Sequence, residues 1–234
     1  MKSSKNECWA NCKSQEKCLF EKIQTSEHDD IDRCIVLRTF SKGQTIFLQG
    51  DHPSGVYCLN TGNVKIVMVD SEGNEMIVRL VTTGDIFGHR SLFCNAAYHA
   101  SAIALEDSVV RFIKKDFFLE IVKNHPSIAF DLLAQISHTG LSAEQSKANL
   151  VHLRVRVRLA RLLSELKIKH GIQDGTRIRL DIQLSRQEMA NIIGTIDETI
   201  VRLFSEFKKE GVLESEGKII YIINEKKLNE IANA

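Results

Sequence analysis

Residues 184–207 read LSRQEMANIIGTIDETIVRLFSEF, and this stretch decides the architecture. Ser185 is followed three residues later by Glu188, the spacing of a capping box, so a helix is predicted to start at Arg186. Gly194 falls eight residues on, where a tight turn ends that helix. A second helix then carries Ile200, Leu203, Phe204 and Phe207 on one face at helical spacing. Ala190 is small where the two helices must approach. Two short helices joined through a glycine turn make a helix-turn-helix.

The opposite face of the second helix shows Asp197, Glu198, Val201 and Arg202. Glu198 and Arg202 are four apart, so they project side by side; on a solvated face the pair is worth a few tenths of a kcal/mol. On a helix lying in the major groove the same pair has another use. Arginine reaches guanine O6 and N7, glutamate accepts from cytosine N4, and each good contact gives ~1–3 kcal/mol of discrimination. Val201 offers only an apolar contact, such as to a thymine methyl. Ser185, Arg186, Thr195 and Thr199 cluster near helix N-termini, where hydroxyls, a guanidinium and backbone N–H groups suit phosphates. The following GVLESEGKIIYII (residues 211–223) reads as a winged hairpin. Charge runs against this expectation, because residues 168–234 hold ten Lys and Arg against eleven Asp and Glu. Positive charge must be localised on one face, doubled by a second copy, or assisted by Arg154, Arg156, Arg158 and Arg161 upstream.

Before this segment the period changes twice. From Cys34 to about Lys115, short β runs (CIVLRTF, QTIFLQG, VYCLN, NVKIVMV, MIVRLV, SVVRFI) alternate with glycine turns. VKIVMVDSEGNEMIVRLV reads as a hairpin about Ser71–Asn74, and the whole as a small sandwich or barrel. After Pro126 the spacing of Ile128, Leu132, Leu133 and Ile136 predicts a helix of about 25 residues or more. Its last third, rich in alanine and serine, suits either packing on the β domain or close approach to a second copy. VRVRLARLLSELKIKH makes a further helix ending at Gly171, RIRLDI an extended stretch, and EKKLNEIA a short last helix. The predicted class is α+β, with an N-terminal cysteine-containing strap (1–22), a β domain (23–125), a connecting helix (126–152) and a small α+β domain (153–234).

The 234 residues are 43% hydrophobic and 26% charged with a net charge of +1, which speaks against a strongly basic or acidic chain. The polar start MKSSKNE shows no secretory core, and no apolar stretch approaches the ~20 residues of a membrane span. A cytoplasmic, reducing location with no membrane partner is expected, so a disulfide framework is improbable. No nucleophile–base constellation, phosphate loop or zinc-hydrolase motif is present, so no catalytic residue and no enzyme activity are expected. Cys8, Cys12 and Cys18, three of six cysteines, fall within eleven residues. They read as ligands of a metal or cluster or as free thiols.

FSKGQTIFLQGDHPSGVYCLNTGNVKI (40–66), LVTTGDIFG (80–88), the helix after HPSIAF (125–130) and LSRQEMANIIGTIDETIVRLFSEFKKEGVLESEGKIIYI (184–222), in that order, resemble the Crp/Fnr family of bacterial transcription regulators. The resemblance runs from about Cys12 to the C-terminus. It implies an antiparallel, jelly-roll-like β-roll sensor, a long dimerisation helix and a winged helix-turn-helix. It further implies a homodimer on an inverted repeat of double-stranded DNA, with half-sites ~34–36 Å apart, and RNA polymerase as a partner. By position, Glu198 and Arg202 match the base-reading pair, Arg186 and Thr199 phosphate contacts, and Asp197 and Val201 the variable positions that tune specificity.

Members that bind cyclic nucleotide resemble this chain less in the sensor. His89 stands where their glutamate would, His99 where their phosphate-clamping arginine would, and Ala143 and Glu144 replace hydroxyls that meet the base. These departures argue against cyclic AMP. His89, Arg90, Tyr98 and His99 are candidates to line a pocket for another small anion, surface histidines being the plainer reading, and His89 lies near the ligand position of a haem-sensing relative. Oxygen sensors of the family hold a [4Fe–4S] cluster on three N-terminal cysteines and one from the roll, which implies Cys8, Cys12 and Cys18 here. The Cys12–Cys18 gap matches theirs; the Cys8–Cys12 gap is one residue longer, and Arg111 stands at the fourth ligand's place. Cys94 is the substitute candidate, since Cys34 and Cys58 sit in strand patterns.

Overall fold

Residues 35–234 are described in the computed structural model, and the chain divides into two units, one ending at Gly140 and one beginning at Leu141. The first is built from β1 (Ile35–Phe40), β2 (Thr45–Phe47), β3 (Gly55–Thr61), β4 (Val64–Val69), β5 (Glu75–Val81), β6 (Ile86–Phe87), β7 (Ser101–Ala104) and β8 (Ser108–Lys114). All pairings are antiparallel, in two sheets of order β1-β8-β3-β6 and β2-β7-β4-β5. This is the expected β-roll.

Within the first sheet the inner strand β3 is buried on both faces, which explains its apolar run GVYCL, while the edge strand β1 is largely exposed. Successive side chains point to opposite faces. Tyr57, Phe87 and Phe112 therefore join Phe47 and Tyr98 inside the roll. Val56, Ile86 and Ile113 turn outward and pack on Phe118, Ile121, Ile128 and Leu132. Those four belong to α2 (Lys115–Asn124) and α3 (Pro126–His152), which cover that face. Gly55 opens β3 because a Cβ there would lie 2.2 Å from the Ile113 carbonyl oxygen.

Six of the eight strands correspond to the quoted β runs. The other two, β6 and β7, are too short or too rich in small residues for a period to show. The hairpin β4–β5 is as expected, and the Asp70 carboxylate closes its turn by accepting from the Glu72 and Asn74 backbone N–H groups, each at 2.9 Å. α1 (His89–Phe93) and α2 were not anticipated. The long helix is 27 residues. Ile128 and Leu132 of it are buried, whereas Leu133 is exposed, so the apolar residues of its first turns divide between two faces.

The second unit holds α4 (Val155–His170), α5 (Arg186–Ile193), α6 (Asp197–Lys209) and α7 (Glu225–Ala232) with the sheet β11-β12-β10-β9. β9 (Gly171–Asp174) and β10 (Arg177–Leu180) form one hairpin; β11 (Leu213–Glu216) and β12 (Ile219–Ile222) form the wing. No helix among the described residues is long and apolar enough to cross a membrane.

Candidate DNA-binding surface

The start of α5 is fixed locally. The Ser185 hydroxyl accepts from the Glu188 N–H at 3.1 Å, and the Glu188 carboxylate accepts from the Ser185 N–H at 2.9 Å. The same hydroxyl also donates to the Glu188 carboxylate at 3.0 Å, so Ser185 is occupied in holding the helix start. Gly194 ends α5 in the left-handed region at φ 66, with the Thr195 N–H returned to the Ala190 carbonyl at 3.1 Å. A side chain at this φ would cost about 1–2 kcal/mol.

α6 is seated by Ile200, Leu203, Phe204 and Phe207, none more than 5% exposed. Ala190 is fully buried beneath it, which is why a small residue stands there. Asp197 and Glu198 occupy its first turn, where carboxylates complement the partial positive charge of the helix start. The face away from the core presents Glu198, Val201, Arg202 and Ser205 to solvent, with Asp197, Thr195 and Thr199 half-buried at its margins. Neither Glu198 nor Arg202 has a hydrogen-bond or ion-pair partner among the described residues, so the expected ion pair is not formed. Arg186 lies over the Phe204 ring at 3.6 Å, a cation–π contact that fixes its plane; burial lowers its pKa without discharging it. Ser205 and the exposed Ile196 were missed by sequence reasoning. The i+3 step from Arg202 would have found Ser205, but an apolar Ile196 carries no such signal.

Three of the four upstream arginines offered as phosphate assistance are engaged within the unit. Arg156 donates to both Glu210 oxygens at 2.8 Å and to Glu206 at 3.3 Å, and stacks over Phe207. Arg158 donates to the carbonyls of Leu150 and Gly194, and Arg161 to Asn149 and the Ala232 carbonyl. Backbone and carboxylate acceptors within the unit claim these side chains, leaving Arg154 exposed. Beside the wing, Arg177 of β10 is ringed by Asp174, Glu214 and Glu216 and lies over Tyr221.

In the sensor, the four pocket candidates differ in exposure, and Arg90 lies within electrostatic reach of both His89 and His99. His89 is 3% exposed, not at the surface, and its Nδ1 has no hydrogen-bond partner. Burial, and then the charges of Arg79 and Arg90, hold its pKa down to about 4, so it is neutral near pH 7. Tyr98 belongs to the core: its ring stacks on Phe47 at 3.8 Å, and its hydroxyl is 3.5 Å from the Gly55 carbonyl oxygen. His99 is exposed, as the surface reading has it, and Arg90 is half-buried. Arg79, which sequence reasoning missed because a strand arginine looks like a solvent-facing residue, pairs with Asp85 at 3.6 Å.

Cys8, Cys12, Cys18 and Cys34 lie outside the described residues. Cys58 is buried and Cys94 exposed. Among the described residues no group of three or more His, Cys, Asp or Glu is placed to hold a metal ion. Arg111 is 2% exposed, paired across strands with Cys58. A guanidinium cannot ligate iron, so the place of the fourth thiolate in the relatives does not fit that set here, and Cys94 is the exposed thiol left among the described residues.

Two family models match the chain. One described as "Cyclic nucleotide-binding domain" covers residues 37–125, and one described as "Crp-like helix-turn-helix domain" covers residues 157–231. The global nitrogen regulator of Synechocystis is 30% identical over 193 residues, spanning 81% of this chain and 85% of that protein. Electron transport regulator A of Shewanella oneidensis is 26% identical over 223 residues, spanning 95% and 89%. In fold, FixK2 from Bradyrhizobium japonicum is similar with a TM-score of 0.76 at 23% identity, over 86% of this chain and 98% of that one. With a roll of this topology, a long helix and a capped helix-turn-helix presenting Glu198 and Arg202, the chain belongs to the Crp/Fnr family of DNA-binding transcription regulators.

Proposed function

We propose that the protein acts as a cytoplasmic homodimer that reads an inverted-repeat duplex site through α6 and controls transcription by contact with RNA polymerase, without catalysis of its own. The observation that carries this reading is the state of Glu198 and Arg202. They stand exposed and unpartnered on a helix whose other face is fully packed, while three of the upstream arginines are engaged within the unit. Arg202 reads guanine, Glu198 accepts from cytosine, and Asp197 and Val201 tune the neighbouring positions. Arg186, Thr195 and Thr199 meet phosphates, and Ser185 holds the helix start that presents Arg186. Dimerisation through α3 is supported by its exposed apolar residues Phe130, Leu133, Leu141 and Val151, whose spacing follows one side of a long helix. A gel-shift on inverted repeats of TGA type tests the reading, and absence of any sequence preference at all salt concentrations would sink it.

The effector we propose is not cyclic AMP. A buried neutral His89 replaces an expected carboxylate, and Ala143 and Glu144 are exposed on α3. Titration calorimetry with cyclic AMP should give no binding heat; micromolar binding would overturn this. Nor do we propose a four-cysteine cluster, because Arg111 occupies the fourth ligand's place and the substitute candidate Cys94 stands in no group of three or more ligating side chains among the described residues. Anaerobically purified protein should be colourless and iron-free, and broad visible absorption that bleaches in air would reverse the assignment.

A further inference from the structure

The end of α3 and the turn that precedes α6 meet at one side chain. Arg158, in the first turn of α4, donates from Nη1 to the Leu150 carbonyl at 2.8 Å and from Nη2 to the Gly194 carbonyl at 3.3 Å. The Leu150 side chain crowds the same point, since a Cβ on Gly194 would fall 2.8 Å from its Cδ2. One turn further along α4, Arg161 donates to the Asn149 side chain at 2.9 Å and to the Ala232 carbonyl at 2.8 Å.

Both carbonyls that Arg158 engages lie at helix C-termini: Leu150 in the last turn of α3 and Gly194 at the cap of α5. Such carbonyls lack an intrahelical donor and carry the negative end of the helix dipole. A guanidinium fork satisfies two of them at once in a fixed relative position, which a single ammonium does not. Only Leu153 and Arg154 separate α3 from α4, with Arg154 extended, and so short a link would not by itself hold the direction of α3.

We propose that Arg158 is a positioning residue for DNA binding: it bolts the last turn of α3 to the helix-turn-helix turn, so that a dimer held through α3 carries its two α6 helices at a set separation. This rests on α3 being the dimer helix and α6 the reading helix. The test uses full-length protein and fluorescence anisotropy on inverted repeats whose spacer is lengthened or shortened by one base pair. Each step moves one half-site by about 3.4 Å and about 35° relative to the other. Wild type should prefer one spacing by about tenfold or more, and R158M should narrow that preference to within about threefold while keeping preference for the half-site sequence.

An R158M protein with the wild-type spacing preference would overturn the proposal. So would uniform weakening at all spacings with a lowered melting temperature, which is what a merely structural arginine gives. If circular dichroism shows R158M unfolded, R158K decides in its place, because its single ammonium must also flatten the preference. Failure of wild type to bind any inverted repeat counts instead against the function proposed above.

Discussion

In the unit ending at Gly140, Arg79, His89 and Arg90 lie within electrostatic reach of one another, and the carboxylate against Arg79 is Asp85. In the unit beginning at Leu141, Arg156, Arg158, Arg161, Arg177 and Arg179 each end on carboxylate, amide or carbonyl oxygens. The first arrangement forces a buried imidazole to stay neutral. The second engages these guanidinium groups with internal acceptors, while Arg202 stays exposed on α6 without one. A satisfied scaffold presents a reading surface; an unsatisfied cluster responds to protons.

The contrast can be broken hardest through the core. Phe207 is fully buried under α6, and Phe207→Ala should destabilise the second unit by about 3–5 kcal/mol. Chemical denaturation measures the loss, and specific DNA binding should disappear with it.

Acid should act on the other unit. The folded pKa of His89 is near 4, below the unfolded value of 6.5, so the unfolded state binds more protons between those values. Its contribution is fully present above pH 6.5 and is lost as pH falls toward 4, amounting to about 3 kcal/mol. His89→Phe should flatten that stretch of the stability–pH curve measured by urea denaturation; an unchanged slope would contradict the burial argument.

Arg202 and Arg156 separate the two uses of arginine. Arg202→Ala should remove about 1–3 kcal/mol of base discrimination, read by anisotropy on single-base variants, with unchanged melting. Arg156→Ala should lower stability by about 1 kcal/mol and leave base preference intact. The smallest effect is at the cap: Ser185→Ala should cost about 1 kcal/mol, seen as a lower urea midpoint with unchanged slope.

The helix-turn-helix was legible because its signals are local. The capping box closes over three residues, Gly194 marks its own turn, and the α6 core residues recur at helical spacing. The roll was legible where strands were long enough to show a period. The arginines were not, because their partners are remote in sequence: Arg156 reaches Glu206 and Glu210 across 50 and 54 residues, and Arg158 reaches Gly194 across 36. Written as RVRVR, residues 154–158 look like a basic stripe, and only folding shows which acceptors claim them. His89 is the same lesson in the sensor, since a histidine at the start of a short helix carries no sign in sequence that it is buried at 3% exposure.

The internal pairing of these arginines also bears on the salt dependence of DNA binding. Cations that neutralise phosphates release condensed counterions, and each such contact steepens the logarithmic salt dependence of binding by about 0.9. Among the described residues, only Arg154, Arg186 and Arg202 of the second unit's arginines lack a hydrogen-bond or ion-pair partner, so the arginine share of that entropic grip is small. A small arginine contribution to the salt slope of non-specific binding is the expected consequence, measured by anisotropy on random duplex across a salt series.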